Sequence, residues 1–268
     1  MYLSNKPKKS LGQNFLIDNN IIKKIVEIGK ITEEKTVLEI GPGYGNLTKE
    51  IKKNKPKKIF AVEKDKKISL TLKNNFKNYE NIQVINDDIF NIIENNNFKK
   101  NVVVFGNLPY NISTKILASL LLFKKWPPWY EVLILMFQKE VADRILAKQN
   151  SKEYGRLSVL CNWRMEVNKH FDISNNCFFP KPKISSTVLS FKPKKNFKFN
   201  LKQPKNLEKI TRIIFSNRRK MINKAFCKLF KNYLDVAKEL NINLNLRPGE
   251  LKEETFYKIA DKYEKLYN

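Results

Sequence analysis

Five short apolar runs, at residues 36–40, 58–62, 82–85, 102–105 and 132–137, constrain this chain more than any other feature. Each has four to six residues rich in Val, Ile and Leu, and each of the first four closes on a distinctive group, the Gly41 to Gly45 turn, Glu63, Asp88 and Asn107. Apolar residues at successive rather than alternate positions suit strands buried on both faces. The stretches at 46–54, 66–76, 112–123 and 139–148 have helical spacing, as does 21–28 before the first run. Strands alternating with helices at this interval predict an α/β fold with a mostly parallel sheet and right-handed crossovers. After Tyr154 the pattern changes. Residues 164–171 and 184–191 read as later strands forming an antiparallel edge. Residues 192–205, rich in Lys, Pro and Asn, read as a linker. Helical patterns follow at 207–215, 218–230, 234–240 and 253–266. The expected division is a domain over 1–193 and a small all-α domain over 194–268.

The length of 268 residues suits such a pair, and 42% apolar residues supply a sizeable core. No run of about 18 apolar residues is present, so no membrane span is expected. Residues 1–10 are polar and basic with no apolar stretch behind them, unlike a secretory signal. Cys161, Cys177 and Cys227 are odd in number and widely spaced, which argues against disulfides and zinc and fits the reducing cytoplasm. His170 is the single histidine, so no mechanism needing two is available. Lys and Arg outnumber Asp and Glu 52 to 26, a field that attracts polyanions. Because 45 of the 52 are Lys, a nucleotide bias toward AAA codons accounts for part of the excess.

Gly41, Gly43 and Gly45 are three of eight glycines, set within five residues directly after the first run. Glycine there permits a tight turn and close backbone approach by a ligand. The spacing is not that of the dinucleotide fingerprint, and no Walker lysine follows, which disfavours a nucleotide triphosphatase. The next three runs end at Glu63, Asp88 and Asn107. In doubly wound sheets ligands lie at the carboxyl ends of the strands. A carboxylate at the second end can accept from both ribose hydroxyls, and an Asp at the third can accept from an adenine amino group. A nucleoside cofactor is therefore expected; at this point a dinucleotide oxidoreductase remains open.

Asn107-Leu108-Pro109-Tyr110 narrows the choice. An adenine amine is a poor nucleophile because its lone pair is delocalised into the ring. Two acceptors on its hydrogens favour a pyramidal nitrogen and aim the lone pair at a sulfonium methyl. The Asn107 side-chain oxygen and the Leu108 carbonyl can supply them. Pro109 restricts Leu108 to extended geometry, and Tyr110 can stack on the base, a contact worth about 1–3 kcal/mol. No strong base is required. Orientation and a matched electrostatic pocket carry the rate.

These residues lead to a family. The chain closely resembles the ribosomal RNA adenine dimethyltransferases, on their small-subunit (16S) branch, nearly end to end. The marks are residues 11–16, Glu39 to Gly43 with Leu47 and Thr48, Glu63, Asp88, residues 107–114, 138–141, 154–158, 178–183 and 218–220. The resemblance implies a Rossmann-like class I methyltransferase domain and a helical C-terminal domain that binds RNA. It implies that Asn14, Leu16, Gly41, Glu63, Asp88 and Asn107 contact S-adenosylmethionine. It also implies that Tyr110 and Phe178 hold a flipped adenine. The implied substrate is two adjacent adenosines in a hairpin loop near the 3′ end of 16S rRNA, each dimethylated at N6 on an immature 30S subunit by a cytoplasmic monomer. The chain has Pro180-Lys181-Pro182 where the family has three prolines. Phe179 beside Phe178 and Asp87 beside Asp88 leave two assignments open.

Lys6, Lys8 and Lys9 are expected to contact RNA phosphates. Arg218, Arg219 and Lys220, read at a helix start where they would oppose the macrodipole, are expected to do the same. Trp126, Trp129 and His170 read as packing residues. The competing functions are adenine methylation of large-subunit RNA or DNA, and a non-catalytic ribosome-assembly factor that keeps the cofactor pocket.

Overall fold

The computed structural model describes residues 13–95, 98 and 101–267. The expected RNA contacts of Lys6, Lys8 and Lys9 lie outside these residues. Two compact units are present. The first comprises residues up to Leu120, Pro127–Ala142 and Asn168–Pro193. The second comprises Leu121–Trp126 and Asp143–Val167 as well as the residues from Lys194 onward. No helix among the described residues is long and apolar enough to cross a membrane.

The chain begins with a two-residue strand β1 (Phe15–Leu16) and helix α1 (Asn19–Ile28), whose first amides are capped by Asp18. Then follow β2 (Thr36–Ile40), α2 (Asn46–Lys53), β3 (Lys58–Val62), α3 (Lys66–Phe76), β4 (Ile82–Ile85), α4 (Ile89–Glu94), β5 (Val102–Asn107), α5 (Ser113–Leu121), β6 (Tyr130–Gln138) and α6 (Lys139–Leu146). Next come α7 (Arg156–Arg164), β7 (Met165–Ile173), β8 (Phe178–Phe179) and β9 (Ser186–Pro193). The last helices are α8 (Lys205–Ile214), α9 (Asn223–Leu229), α10 (Tyr233–Glu239) and α11 (Glu253–Tyr267).

Seven strands form one sheet in the order β4-β3-β2-β5-β6-β9-β7. The pairs among β4, β3, β2, β5 and β6 are parallel, and β9 runs antiparallel to β6. The expected fold class, a mostly parallel sheet with an antiparallel edge and a helical C-terminal region, is the observed one. Val37, Leu38, Ile40, Val103, Val104 and Phe105 are almost fully buried, which explains their unbroken apolar runs.

The topology also fixes where a ligand can sit. From β2 the chain winds outward to β3 and β4, then crosses back to β5 on the other side of β2. The two directions of winding part between the carboxyl ends of β2 and β5, and a crevice opens there. Gly41 follows β2 and Asn107 ends β5, so both expected ligand-contacting groups come to its rim.

In the second unit Arg164 is fully buried. Its guanidinium lies 3.8 Å from the ring centre of Trp163, 4.9 Å from Trp126 and 5.2 Å from Phe197, and donates to the Phe123 carbonyl at 2.8 Å. Trp126 thus packs around a cation. The basic trio is reassigned: α9 starts at Asn223, so Arg218, Arg219 and Lys220 lie in the turn before it and oppose no helix dipole. Arg218 donates to the Ser151 carbonyl at 2.9 Å.

Candidate active site

The glycine turn shapes the crevice first. Gly41, Gly43 and Gly45 have φ of +66°, +56° and +81°, a region that costs other residues about 1–2 kcal/mol. Their surroundings differ. A Cβ on Gly43 would lie 2.6 Å from the Phe15 ring, so this glycine is required by packing. A Cβ on Gly41 would meet only the Asn107 carbonyl, at 3.6 Å. The protein leaves room at Gly41, and that room opens into a cleft of ≈ 340 Å³, open to solvent, lined by Phe15, Leu16, Glu39, Gly41, Tyr44, Asn46, Asn107 and Met136 among others.

Residues 14–16 lie across the crevice, clipped down by two side-chain amides. Asn107 donates to the Asn14 carbonyl at 2.6 Å, and Asn46 donates to the Leu16 carbonyl at 2.8 Å. The first bond fixes which way the Asn107 carboxamide points. Its nitrogen is engaged, and its oxygen is left as the acceptor. Leu108 is buried and anchors the turn, while Pro109 and Tyr110 are half-exposed. The Tyr110 hydroxyl is 2.8 Å from that of Ser186 on β9. Burial raises the Tyr110 pKa, partly offset by that hydrogen bond, so the phenol stays protonated.

Glu63 is buried at the end of β3. One carboxylate oxygen accepts from the Asp65 amide at 2.8 Å, the other from the Gly43 amide at 3.2 Å. These bonds lock the carboxylate to the glycine turn. Burial raises its pKa, and the backbone bonds pull against that rise. Asp88 caps α4 through the Phe90 amide and pairs with Lys64 at 2.7 Å. Burial pushes its carboxyl upward, but the Lys64 ammonium and the Phe90 amide outweigh that and hold it low. Asp87 is committed locally, accepting from Asn91 at 2.8 Å and from the Asp88 amide at 2.6 Å.

Phe178 sits opposite Leu16 and Phe179 opposite Phe15 in the β1–β8 pair. Strand alternation turns them to opposite sides. Phe178 is 2% exposed within the core and Phe179 is 42% exposed. A ring that stacks on a base needs an open face. Phe179 has one, whereas Phe178 must first be uncovered.

The family described as "Ribosomal RNA adenine dimethylase" matches residues 4–265. The chain belongs to the ribosomal RNA adenine dimethylase family. It is 52% identical over 261 residues to a "Ribosomal RNA small subunit methyltransferase A" of Pelagibacter ubique (strain HTCC1062), covering 97% of this chain and 98% of that one. A protein of the same name from Wolbachia sp. subsp. Drosophila simulans (strain wRi) is 40% identical, covering 98% of this chain and 95% of that one. Among solved structures, a dimethyladenosine transferase from Plasmodium falciparum superposes with a TM-score of 0.76 at 27% identity, covering 94% of this chain and 98% of the other. The 23S rRNA methyltransferase ErmE superposes at 0.64 with 20% identity, covering 93% of this chain and 99% of that one, which shows the fold alone.

As a member of this dimethylase family the chain is a methyltransferase. Three groups at its site carried no assigned role in the sequence. Asn46 and Ser186 gave no signal in the sequence, because their partners Leu16 and Tyr110 are remote in the chain. Glu39 is 1% exposed, lines the cleft and accepts from the Thr48 hydroxyl at 2.6 Å. Its signals were a polar residue inside an apolar run and its place in the family-like stretch Glu39 to Gly43.

Proposed function

We infer that this chain transfers methyl groups from S-adenosylmethionine to the N6 amines of adenosines in small-subunit ribosomal RNA. The targets are two adjacent adenosines in a hairpin loop near the 3′ end of 16S rRNA, each methylated twice. The observation that carries this reading is the Asn107–Tyr110 turn, set at the end of β5 beside Gly41 with its carboxamide already oriented.

The residues present fit the cofactor. The open space at Gly41 admits a ligand against bare backbone. Glu63, held by two amides, is the carboxylate assigned to the ribose hydroxyls. Asp88 is the carboxylate for the adenine end, with Asn14 and Leu16 forming the cover and Asn107 shared with the substrate. When bound, S-adenosylmethionine supplies an electrophilic methyl on a cationic sulfur.

The protein's own contribution is orientation. In the first transfer the Asn107 oxygen and the Leu108 carbonyl accept the two amine hydrogens of the adenine and turn its lone pair outward; in the second, one acceptor holds the single remaining hydrogen. Tyr110 supplies an open ring for the base, tethered through Ser186 so that the ring keeps its angle. Phe178 closes the other side once uncovered. The methylated amine is acidic and releases its proton to water, so no general base is needed. Effective-molarity effects of this kind are worth up to about 7–11 kcal/mol.

The protein is read as a cytoplasmic monomer acting on immature 30S subunits, with residues 194–268 as an RNA-binding domain. Asn107→Ala is expected to abolish transfer while cofactor affinity stays within about tenfold, roughly 1.4 kcal/mol. Single-turnover transfer assays and calorimetry check this; near-normal transfer would remove Asn107 from its role.

A further inference from the structure

We propose that the segment from Phe179 to Ile184 is a second nucleotide-binding strip, which stacks an unpaired base of the RNA strand next to the target on Phe179 and holds that strand's phosphates with Lys181 and Lys183. The proposal rests on the RNA substrate inferred above, and deepens it.

Both ends of the strip are tied to the proposed acceptor site. At one end Phe178 and Phe179 pair with Leu16 and Phe15, which line the cleft. At the other, β9 starts at Ser186, whose hydroxyl holds that of Tyr110. The strip therefore borders Tyr110, within reach of a strand that delivers a base to it. Its exposed side chains are those a single strand requires. Phe179 is 42% exposed and stacks on no other ring among the described residues. Lys181 and Lys183 are exposed, and neither has a carboxylate partner among the described residues. Ile184 is 37% exposed.

The sequence adds rigidity. Pro180 and Pro182 restrict Phe179 and Lys181, the residues before them, to extended backbone, so the aromatic and one cation are presented with little ordering cost on binding. A large exposed aromatic beside cations has a ready use in single-strand binding, where aromatic rings take bases in sequence-tolerant stacking. Packing among the described residues buries Phe178 but leaves Phe179 42% exposed.

The test measures affinity for 30S particles lacking the dimethyladenosines, using the full chain and its variants, with methyl transfer by the wild type recorded in parallel. Phe179→Ala is expected to weaken binding roughly 5- to 150-fold, with cofactor affinity unchanged. Phe179→Tyr should restore it, and Phe179→Leu, apolar but without a ring, should not. Replacing Lys181 and Lys183 together by Gln should lower the slope of log affinity against log salt by about 1.4, at about 0.7 per single-strand phosphate. Wild-type affinity in Phe179→Ala, or rescue by Leu equal to that by Tyr, overturns the strip. If the wild type methylates while Phe179→Ala binds normally, the strip alone fails. If the wild type binds but transfers nothing, the proposed function fails and the Phe179 series still decides the strip. If the wild type does not bind, both fail.

Discussion

Glu39 places a carboxyl group in the wall of the cleft with one hydrogen-bond donor, Thr48, to support it. Burial, the largest influence, and the nearby Glu63 carboxylate raise its pKa from 4.5 to about 7, against the Thr48 hydrogen bond. Between these values the folded chain keeps a proton that the unfolded chain has lost. Stability from this group is full below about pH 4.5, declines as pH rises, and is gone above about 7. In urea titrations the wild type should therefore lose on the order of 3 kcal/mol relative to Glu39→Gln between pH 4.5 and 7.5. A difference that stays flat across that window would contradict a raised carboxyl. The role proposed for Glu63 is binding. Glu63→Ala should weaken cofactor affinity roughly 10- to 150-fold, the worth of hydrogen bonds to a charged group. Calorimetry showing unchanged affinity would remove the ribose contact.

The glycine turn and the β1–β8 pair behave as one element, because the Phe15 ring covers Gly43. Gly43→Ala should destabilise the fold by more than the ~1–2 kcal/mol of its left-handed backbone, since the added carbon displaces Phe15. Gly41→Ala should cost only about that backbone term, yet reduce cofactor affinity more, because its Cβ points into free space. Thermal melts paired with calorimetry separate the two; equal stability loss would refute the distinction. The same comparison shows what the sequence makes legible. The central strands and the glycine turn were readable because parallel strands buried on both faces give unbroken apolar runs. Helix α7 was not, since Ser158, Val159, Leu160, Cys161, Trp163 and Arg164 are all buried and leave no polar face to set a period. Helix α4 is six residues, too short for periodicity to show. Strands β1 and β8 have two residues each and are defined by a partner more than 160 positions away. The residues proposed for the cofactor came from motifs, whereas Asn46, Ser186 and the opposite exposures of Phe178 and Phe179 emerge only from the fold.

Across the whole molecule the net charge of +26 is spread largely as lysine. If every excess charge met a phosphate, the salt slope of RNA binding would approach about 18–23, at 0.7–0.9 per contact. A codon-driven lysine excess predicts a much smaller slope, because most lysines then face water. A slope near 20 would show that the whole surface engages RNA.

The central claim is that one turn at the end of β5 aims an adenine amine at a cofactor methyl. It is tested most directly by tritiated methyl transfer to under-methylated 30S particles, naked large-subunit RNA and DNA, followed by nucleoside analysis of the product. The account predicts label in N6,N6-dimethyladenosine from 30S particles, and none with Asn107→Ala. Label confined to large-subunit RNA or DNA, or no label at all, would contradict it.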